Sequence, residues 1–360
     1  MSQSLPLGPV MLDVAGLQLT DEECFRLQHP QVGGVILFRR NFESREQVSA
    51  LIAEIKAVRE PALLVAVDHE GGRVQRFLEG FTRLPPMQVL GELAERDPQA
   101  AITMAEQVGE VLAVELRAIG VDLSFTPVLD LDWGHSAIIG NRAFHANPDR
   151  VTELAAALIR GLEAGGMSAC GKHFPGHGWV EADSHHAIPI DERDYATIEA
   201  ADLKPFQALA QAGLHSVMPA HVVYPQIDSA PAGFSTFWLQ TVLRDRLGFE
   251  GVIFSDDLCM EGAAGVGGIF ERAHAAFNAG CDMALVCNRP DLAETLLTAL
   301  QSTPIATTLA ARLARMMGKA SPESWVAHMN TATFVAKQQQ VAALTVPAGH
   351  LAGPAVGEAC

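Results

Sequence analysis

The feature that most constrains this chain is the recurrence of short, continuous apolar runs, each followed by loop residues and then by a helical pattern. Continuous rather than alternating runs are typical of strands that are buried on both faces, as in parallel sheets. Eight runs predict strands at Val10–Val14, Val35–Phe38, Leu63–Val67, Asp122–Phe125, Ser168–Gly171, Ser216–Pro219, Val252–Ser255 and Met283–Cys287. We therefore expect a parallel sheet whose strands are connected by helices.

Amphipathic patterns between these runs predict the helices. Apolar residues share one face in Glu43–Arg59, in Met104–Ile119, in Val151–Leu162 and in Ala196–Ala212. Eight strands that alternate with helices predict a (β/α)8 barrel. An open doubly wound sheet is the alternative, but no G-x-G-x-x-G sequence follows the first run. The sequence therefore favours an α/β fold of the barrel type.

The predicted barrel occupies residues 1–304 as a single domain, and the rest of the chain has a different pattern. Residues 305–345 predict a helical appendix packed on the barrel, with one helix over Ile305–Lys319 and another over Pro322–Gln340. Residues 346–360 are rich in Ala, Gly and Pro and predict a poorly ordered tail.

Charge and composition exclude several classes of partner. The chain has 42 acidic and 25 basic residues, a net charge of −17 and no basic run, so we expect it to bind neither nucleic acid nor anionic membranes. It lacks an apolar stretch of about 18 residues and a basic leader, and its six cysteines form no C-x-x-C pair. These features predict a soluble, reduced, cytoplasmic protein, which we expect to be a monomer.

Polar side chains follow several of the apolar runs, where a barrel builds its active site. Asp68 directly follows the third run, and Arg76 lies behind two glycines in the same segment. Arg142 lies in the loop after the fourth run, and Lys172 and His173 follow the fifth. If the chain cleaves a glycoside, the Asp68 carboxylate could accept hydrogen bonds from sugar hydroxyls, and Arg76, Arg142 and Lys172 could donate to oxygens or to an anionic aglycone.

Two further groups are suited to acid–base and nucleophilic chemistry. The segment Lys172–Pro189 contains four imidazoles in a loop punctuated by Gly and Pro, and its Asp183 carboxylate could orient the ring of His185 for proton transfer. Asp256 lies immediately beyond the seventh run, while Asp257 would point to the opposite side if the strand geometry persists. In glycoside cleavage the aspartate would attack the anomeric carbon and the histidine would protonate the leaving oxygen.

Five motifs resemble glycoside hydrolase family 3: DHEGGRVQR, NRAF, KHFPGHG, DSHHAIP and FSDDLCMEGA. Within that family they are similar to the bacterial cytoplasmic β-N-acetylhexosaminidases, from about residue 9 to about residue 300. The resemblance implies a retaining exo-β-N-acetylglucosaminidase that acts through a covalent glycosyl-aspartate intermediate. It also implies that the substrate is terminal N-acetylglucosamine on muropeptide fragments. The enzyme would then act in cell-wall recycling, and hence in cell shape and division, and would need no cofactor or metal.

The same resemblance implies a role for each candidate. Asp256 matches the nucleophile, His185 the proton donor and acceptor, and Asp183 the residue that orients His185. The sugar-contacting residues of the family match Asp68, Arg76, Arg142, Lys172 and His173.

Two positions depart from the family pattern. His69 stands where glutamine is expected, and His186 adds a second imidazole beside the proposed acid/base. Because the spacing D-S-H-x-x-x-P reaches Pro189 only from His185, we assign the acid/base to His185.

Three other functions remain compatible with the residues. A metal-dependent barrel hydrolase could use some of the histidines 173, 177, 185, 186 and 221, although no H-x-H follows the first strand. A β-N-acetylglucosaminide phosphorylase could use the same site with phosphate in place of water. A catalytically silent sugar sensor would not need the nucleophile and the Asp–His pair.

Overall fold

The computed structural model describes residues 6–181 and 189–344. Its main sheet has eight strands, numbered here as barrel strands 1 to 8: Val10–Leu12, Val32–Leu37, Leu64–Val67, Leu123–Ser124, Cys170–Phe174, Ser216–Pro219, Val252–Asp257 and Met283–Val286. Each overlaps one of the eight predicted runs. The pairing is parallel throughout, in the order 4-3-2-1-8-7-6-5. Parallel bridges from Leu123 to Ser168 and from Val128 to Lys172 join strands 4 and 5 and close the barrel, so the predicted (β/α)8 fold is confirmed.

Helices and two short hairpins complete the described chain. The helices lie at Asp21–Leu27, Arg45–Ala57, Gln88–Arg96, Pro98–Arg117, Pro148–Ala164, Tyr195–Ala200, Leu203–Gln211, Phe237–Arg246, Glu261–Ala264, Ile269–Ala279, Pro290–Leu300, Thr307–Met316, Pro322–Met329 and Ala332–Ala342, with single 3-10 turns at Arg39–Asn41, Gly140–Arg142 and Ala232–Phe234. The hairpins pair His69–Gly71 with Val74–Gln75 and Val223–Tyr224 with Asp228–Pro231. No helix within the described ranges is long and apolar enough to cross a membrane.

Side-chain caps explain where two of the predicted helices begin. The Ser44 hydroxyl accepts a hydrogen bond from the Gln47 N–H at 3.1 Å, and Arg45–Ala57 follows it. The Asp97 carboxylate accepts from the Ala100 N–H at 3.0 Å, and Pro98 occupies the first helical position, where its missing N–H is not needed.

Two segments that were predicted as single helices are broken. The chain predicted as Ala196–Ala212 leaves helical geometry at Ala201, because the buried carboxylate of Asp202 accepts hydrogen bonds from Trp133 and Arg193. Periodicity alone could not show this local competition. The helix predicted over Pro322–Gln340 is also two helices, and the second begins where the Thr331 hydroxyl accepts from the Phe334 N–H.

Barrel strand 2 begins at Val32, before the predicted start at Val35. The prediction starts late because Gly33 and Gly34 interrupt the apolar pattern of the sequence, although they belong to the strand. A Cβ atom on Gly33 would lie 1.9 Å from the Gly8 carbonyl oxygen, and one on Gly34 would lie 2.7 Å from Cε of Met11. Glycine is therefore required for these strands to approach each other, although it reads as a break in the sequence.

The C-terminal helices contact the long helix Pro98–Arg117. The Arg117 guanidinium donates to the Ala320 carbonyl at 3.1 Å, the Lys337 ammonium pairs with Glu110, and the Gln338 amide donates to Glu115 at 2.6 Å. These contacts lie on the outside of the barrel, away from the C-terminal ends of its strands.

Candidate active site

A pocket lined by both charged and apolar side chains lies at the C-terminal ends of the barrel strands. Five of the predicted site residues line the pocket: Asp68, Arg142, Lys172, His173 and Asp256. The barrel thus brings together polar residues from four separate segments of the chain.

The end of barrel strand 7 supplies two neighbouring carboxylates. Asp256 follows four buried residues of the strand, and its Oδ1 accepts the backbone N–H of Asp257 at 2.8 Å. Asp257 also lines the pocket. The pairing of strand 7 with strand 8 shifts register between Phe254 and Asp257, so side chains there do not alternate strictly between the two faces of the sheet. Asp256 therefore shares the pocket wall with its neighbour instead of facing away from it.

Asp257 connects the ends of two strands. Its Oδ1 accepts the backbone N–H groups of Cys259 at 2.9 Å and of Cys287 at 3.1 Å. Burial raises the pKa of Asp257 to about 7, and the charges of Asp256 and Asp13 act in the same direction. Asp257 therefore holds its proton more firmly than an ordinary aspartate.

A network of buried ion pairs lines the same pocket. The Glu70 carboxylate binds the Arg142 guanidinium through two hydrogen bonds of 2.8 Å, from Nε and Nη2. The Lys172 ammonium lies 2.8 Å from both Asp68 Oδ1 and Glu70 Oε1. Glu70 is thus the residue that joins Arg142 to Lys172.

The charges in this network stabilise one another. Burial by itself raises the pKa of Glu70, but Arg142 and Lys172 outweigh it and hold the pKa well below its usual range. Burial lowers the pKa of Lys172, but Asp68 and Glu70 outweigh it and raise the pKa above its usual value. Glu70 and Lys172 are therefore both charged at neutral pH.

A second buried carboxylate, Asp130, orients the loop that follows strand 5. Its Oδ2 lies 2.6 Å from His173 Nδ1, and its Oδ1 accepts the backbone N–H groups of His173 at 3.2 Å and of His177 at 2.7 Å. Burial raises the pKa of Asp130, but His173 outweighs it and the pKa lies below its ordinary value. Since a carboxylate accepts, we assign the proton to His173 Nδ1, which directs Nε2 of the ring away from Asp130.

Sequence reasoning did not select Glu70 or Asp130, although both carry a signal. Glu70 lies in the same segment as Asp68, and Asp130 follows the apolar pair Val128–Leu129 just beyond barrel strand 4. Each is an acidic residue at a strand end, which is the pattern that selected the other candidates.

Arg76 and the predicted acid/base group differ from the other candidates. Arg76 is 3% exposed and is absent from the pocket wall formed by the described residues, and its Nη2 lies 3.8 Å from Asp68 Oδ2. Its charge thus reaches the pocket through Asp68. Asp183, His185 and His186 lie outside the described residues.

The remaining histidine candidate, His221, is fully buried against the end of strand 7. Its Nε2 lies 3.1 Å from the Asp257 carbonyl oxygen, and its ring stacks on Phe234. Within residues 6–181 and 189–344, no group of three His, Cys, Asp or Glu side chains is placed to hold a metal ion.

The fold and the pocket together define a class of protein. Paired carboxylates and cations at the C-terminal mouth of a (β/α)8 barrel can bind a polyhydroxylated ligand, and Asp256 supplies a carboxylate that can attack it. This combination is that of a barrel enzyme acting on carbohydrate.

Comparison with known proteins identifies the family. Residues 10–317 match the glycosyl hydrolase family 3 N terminal domain. A β-hexosaminidase of Chromobacterium violaceum is 60% identical, with 99% of each chain covered. The crystal structure of NagZ from Neisseria gonorrhoeae in complex with N-trifluoroacetyl-D-glucosamine is 57% identical, with a TM-score of 0.91 over 94% of this chain and 98% of that one. A family 3 β-N-acetylglucosaminidase from Paenibacillus sp. is 31% identical, with a TM-score of 0.75 over 95% of this chain and 64% of that one.

The chain belongs to glycosyl hydrolase family 3, within its β-hexosaminidase branch. It is therefore a glycoside hydrolase, and the resemblance seen in the sequence motifs is confirmed.

Proposed function

We propose that the protein is a retaining exo-β-N-acetylglucosaminidase of cell-wall recycling. Its substrate would be N-acetylglucosamine linked to 1,6-anhydro-N-acetylmuramic acid, with or without peptide, and it would act as a cytoplasmic monomer without a cofactor. The observation that carries the proposal is the Asp256 carboxylate in the same pocket as the Asp68–Lys172–Glu70–Arg142 network. The likeness to β-hexosaminidases over nearly the whole chain supports it.

Hydrogen-bond capacity indicates how the pocket would hold the terminal sugar. The Lys172 ammonium has three N–H groups, of which two point to Asp68 and Glu70, so a third can donate to a sugar hydroxyl. Asp68 can accept from hydroxyls with its remaining lone pairs. His173, whose Nδ1 is held by Asp130, can offer Nε2 to the sugar.

The ion-pair network gives these groups a fixed direction before the sugar arrives. Arg142 and Glu70 each have a side chain that is 4% exposed, and they hold each other through two bonds. Groups that are ordered in advance lose less conformational entropy on binding. We therefore propose that Arg142, which lines the pocket, contacts the sugar and also positions Lys172 through Glu70, and that Arg76 acts on the sugar through Asp68.

The proposed reaction has two displacements at the anomeric carbon. In the first, an Asp256 oxygen forms a bond to this carbon, the bond to the leaving oxygen breaks, and His185 gives its proton to that oxygen. In the second, His185 takes a proton from water, the water oxygen bonds to the anomeric carbon, and the carboxylate of Asp256 is released. Two inversions give net retention, and Asp183 would orient the ring of His185.

The experiment is cleavage of the disaccharide N-acetylglucosaminyl-1,6-anhydro-N-acetylmuramic acid, with and without its peptide, followed by ¹H NMR in the presence of EDTA. We expect the β-anomer of N-acetylglucosamine as first product, and Asp256→Asn should lower the rate by at least about 10³-fold. The exposed Asp245 provides a matched control, and Asp245→Asn should leave the rate unchanged.

Each alternative outcome contradicts a different part of the proposal. The α-anomer as first product would exclude the covalent route. A sugar 1-phosphate formed only in phosphate buffer would make the protein a phosphorylase. Cleavage of a chitin disaccharide at a higher kcat/KM than either muropeptide fragment would remove the cell-wall role while leaving the nucleophile in place.

A further inference from the structure

One imidazole in the pocket wall has no use in the mechanism above. His177 lines the pocket and is 3% exposed, yet neither Nδ1 nor Nε2 has a hydrogen-bond partner among the described residues. A buried polar atom without a partner destabilises the folded protein. Within the described residues, both ring nitrogens are therefore available to a polar group that enters the pocket.

The backbone around His177 holds the ring in place without using its nitrogens. The His177 N–H donates to Asp130 Oδ1 at 2.7 Å, and the Tyr224 hydroxyl donates to the preceding carbonyl, that of Gly176, at 2.6 Å. The ring lies 5.9 Å from that of His173. His177 is therefore positioned by the same carboxylate that positions His173.

The environment of His177 keeps the ring uncharged. Burial lowers the pKa of His177 to about 4, and the neighbouring His173 acts in the same direction. A neutral imidazole has one N–H donor and one lone pair, so at neutral pH it can both give and accept a hydrogen bond. A sugar presents hydroxyl and acetamido groups that match both.

We propose that His177 is a sugar-contacting residue, whose uncharged ring hydrogen-bonds a polar group of the N-acetylglucosaminyl unit in the pocket that His173 and Asp256 also line. Binding of the sugar then gives the ring nitrogens hydrogen-bond partners that residues 6–181 and 189–344 do not supply. This inference rests on the proposed function, because it requires the pocket to be the N-acetylglucosamine site.

The test replaces the ring nitrogens by carbon in His177→Phe and measures both stability and sugar binding. A matched control is His69→Phe, because His69 is 1% exposed and its Nδ1 also lacks a partner among the described residues, while its ring packs on Phe77 and Phe81 outside the pocket. Melting temperature is measured without ligand, and the Kd of N-acetylglucosamine by calorimetry. We expect neither variant to melt below the wild type, and only His177→Phe to raise the Kd, by about ten-fold.

An unchanged Kd in His177→Phe overturns the inference, since the ring would then have no part in binding. If His177→Phe does not fold, ¹⁵N-histidine NMR of the wild type decides. The His177 ring resonances, assigned with the variant His177→Gln, must shift when N-acetylglucosamine is added, and resonances that do not move overturn the inference.

A third variant, Asp68→Asn, separates this inference from the proposed function. Weaker sugar binding in Asp68→Asn together with wild-type binding in His177→Phe removes only the role of His177. No binding of N-acetylglucosamine to the wild type, or full binding to Asp68→Asn, counts against the proposed site and the inference together.

Discussion

Arg142 and Glu70 hold each other through two parallel hydrogen bonds of 2.8 Å, and both side chains are almost completely buried. Glu70 also accepts from Lys172 through the oxygen that receives Arg142 Nη2. One carboxylate therefore compensates two cations in the pocket wall. Its loss would leave two nearly buried cations with less compensating negative charge.

We expect Glu70→Gln to destabilise the protein by about 3–5 kcal/mol, because removing one partner of a buried ion pair leaves the other uncompensated. The variant should also lower kcat/KM, because Lys172 loses one of the two groups that direct it. Chemical denaturation and steady-state kinetics measure both effects. The exposed pair of Arg150 and Glu153 gives the control, and Glu153→Gln should change stability by less than about 1 kcal/mol. Equal effects of the two substitutions would refute the importance of Glu70.

The pH dependence of the Glu70 contribution has a definite sign. The cations hold the folded-state pKa of Glu70 below its unfolded value of 4.5, so the stabilisation is present above that value and is lost as the pH falls below it. The difference in unfolding free energy between wild type and Glu70→Gln should therefore shrink below about pH 4.5. A difference that grows on acidification would contradict this reading.

Asp130→Asn tests the support of His173. An amide can donate where the carboxylate only accepts, so the substitution favours a proton on His173 Nε2 instead of Nδ1. We expect sugar affinity to fall by about ten-fold or more, the size of effect seen when groups that orient metal-bound histidines are removed. The measurement is the Kd of N-acetylglucosamine, with the ring tautomer followed by ¹⁵N NMR. An unchanged tautomer together with weaker binding would show that Asp130 acts only through the backbone.

Much of the architecture followed from the sequence because its signals are local. Strands that are buried on both faces are rich in apolar residues, so an apolar run in the sequence overlaps each of the eight barrel strands. The barrel topology then places every strand end at one mouth, which is why the sequence alone groups Asp68, Lys172, His173 and Asp256.

Other features depend on contacts that no sequence pattern records. Arg76 and Arg142 both follow a strand and read alike, yet only Arg142 lines the pocket formed by the described residues. The break at Ala201 comes from bonds that Trp133 and Arg193 make to Asp202, and such partners become neighbours only after folding. The sequence pattern did not single out Glu70, because its role is to join Arg142 and Lys172, which lie far from it in the chain.

Two glycines allow the helices Pro98–Arg117 and Pro148–Ala164 to pack closely. A Cβ on Gly109 would lie 2.1 Å from the Leu158 carbonyl oxygen, and one on Gly161 would lie 2.0 Å from that of Glu106. We expect Gly109→Ala to destabilise the protein by about 1–3 kcal/mol, because the helices must separate to admit the methyl group. The loss should appear in chemical denaturation with KM nearly unchanged, since this contact lies outside the pocket. A stabilisation, as alanine in an unhindered helix would give, would show that the helices do not approach so closely.

The contribution of Asp257 to stability should change with pH in the direction opposite to that of Glu70. Burial raises its pKa from 3.8 to about 7, so the folded state keeps a proton that the unfolded chain has already released. Its favourable contribution is complete below the unfolded pKa and is lost as the pH rises towards about 7. Asp257→Asn is uncharged at every pH and keeps an oxygen that can accept from the N–H groups of Cys259 and Cys287.

The melting temperature of Asp257→Asn relative to wild type should therefore rise by a few degrees between about pH 4 and about pH 7.5, because only the wild type must bury a charge at the higher pH. Thermal denaturation across this range, with Asp245→Asn as an exposed control of constant difference, makes the measurement. A difference for Asp257→Asn that stays constant or falls would mean that Asp257 is already ionised in the folded protein at low pH. In that case the two neighbouring carboxylates would both be charged in the pocket, and the ionised form of Asp257 would need a compensating cation near strand 7.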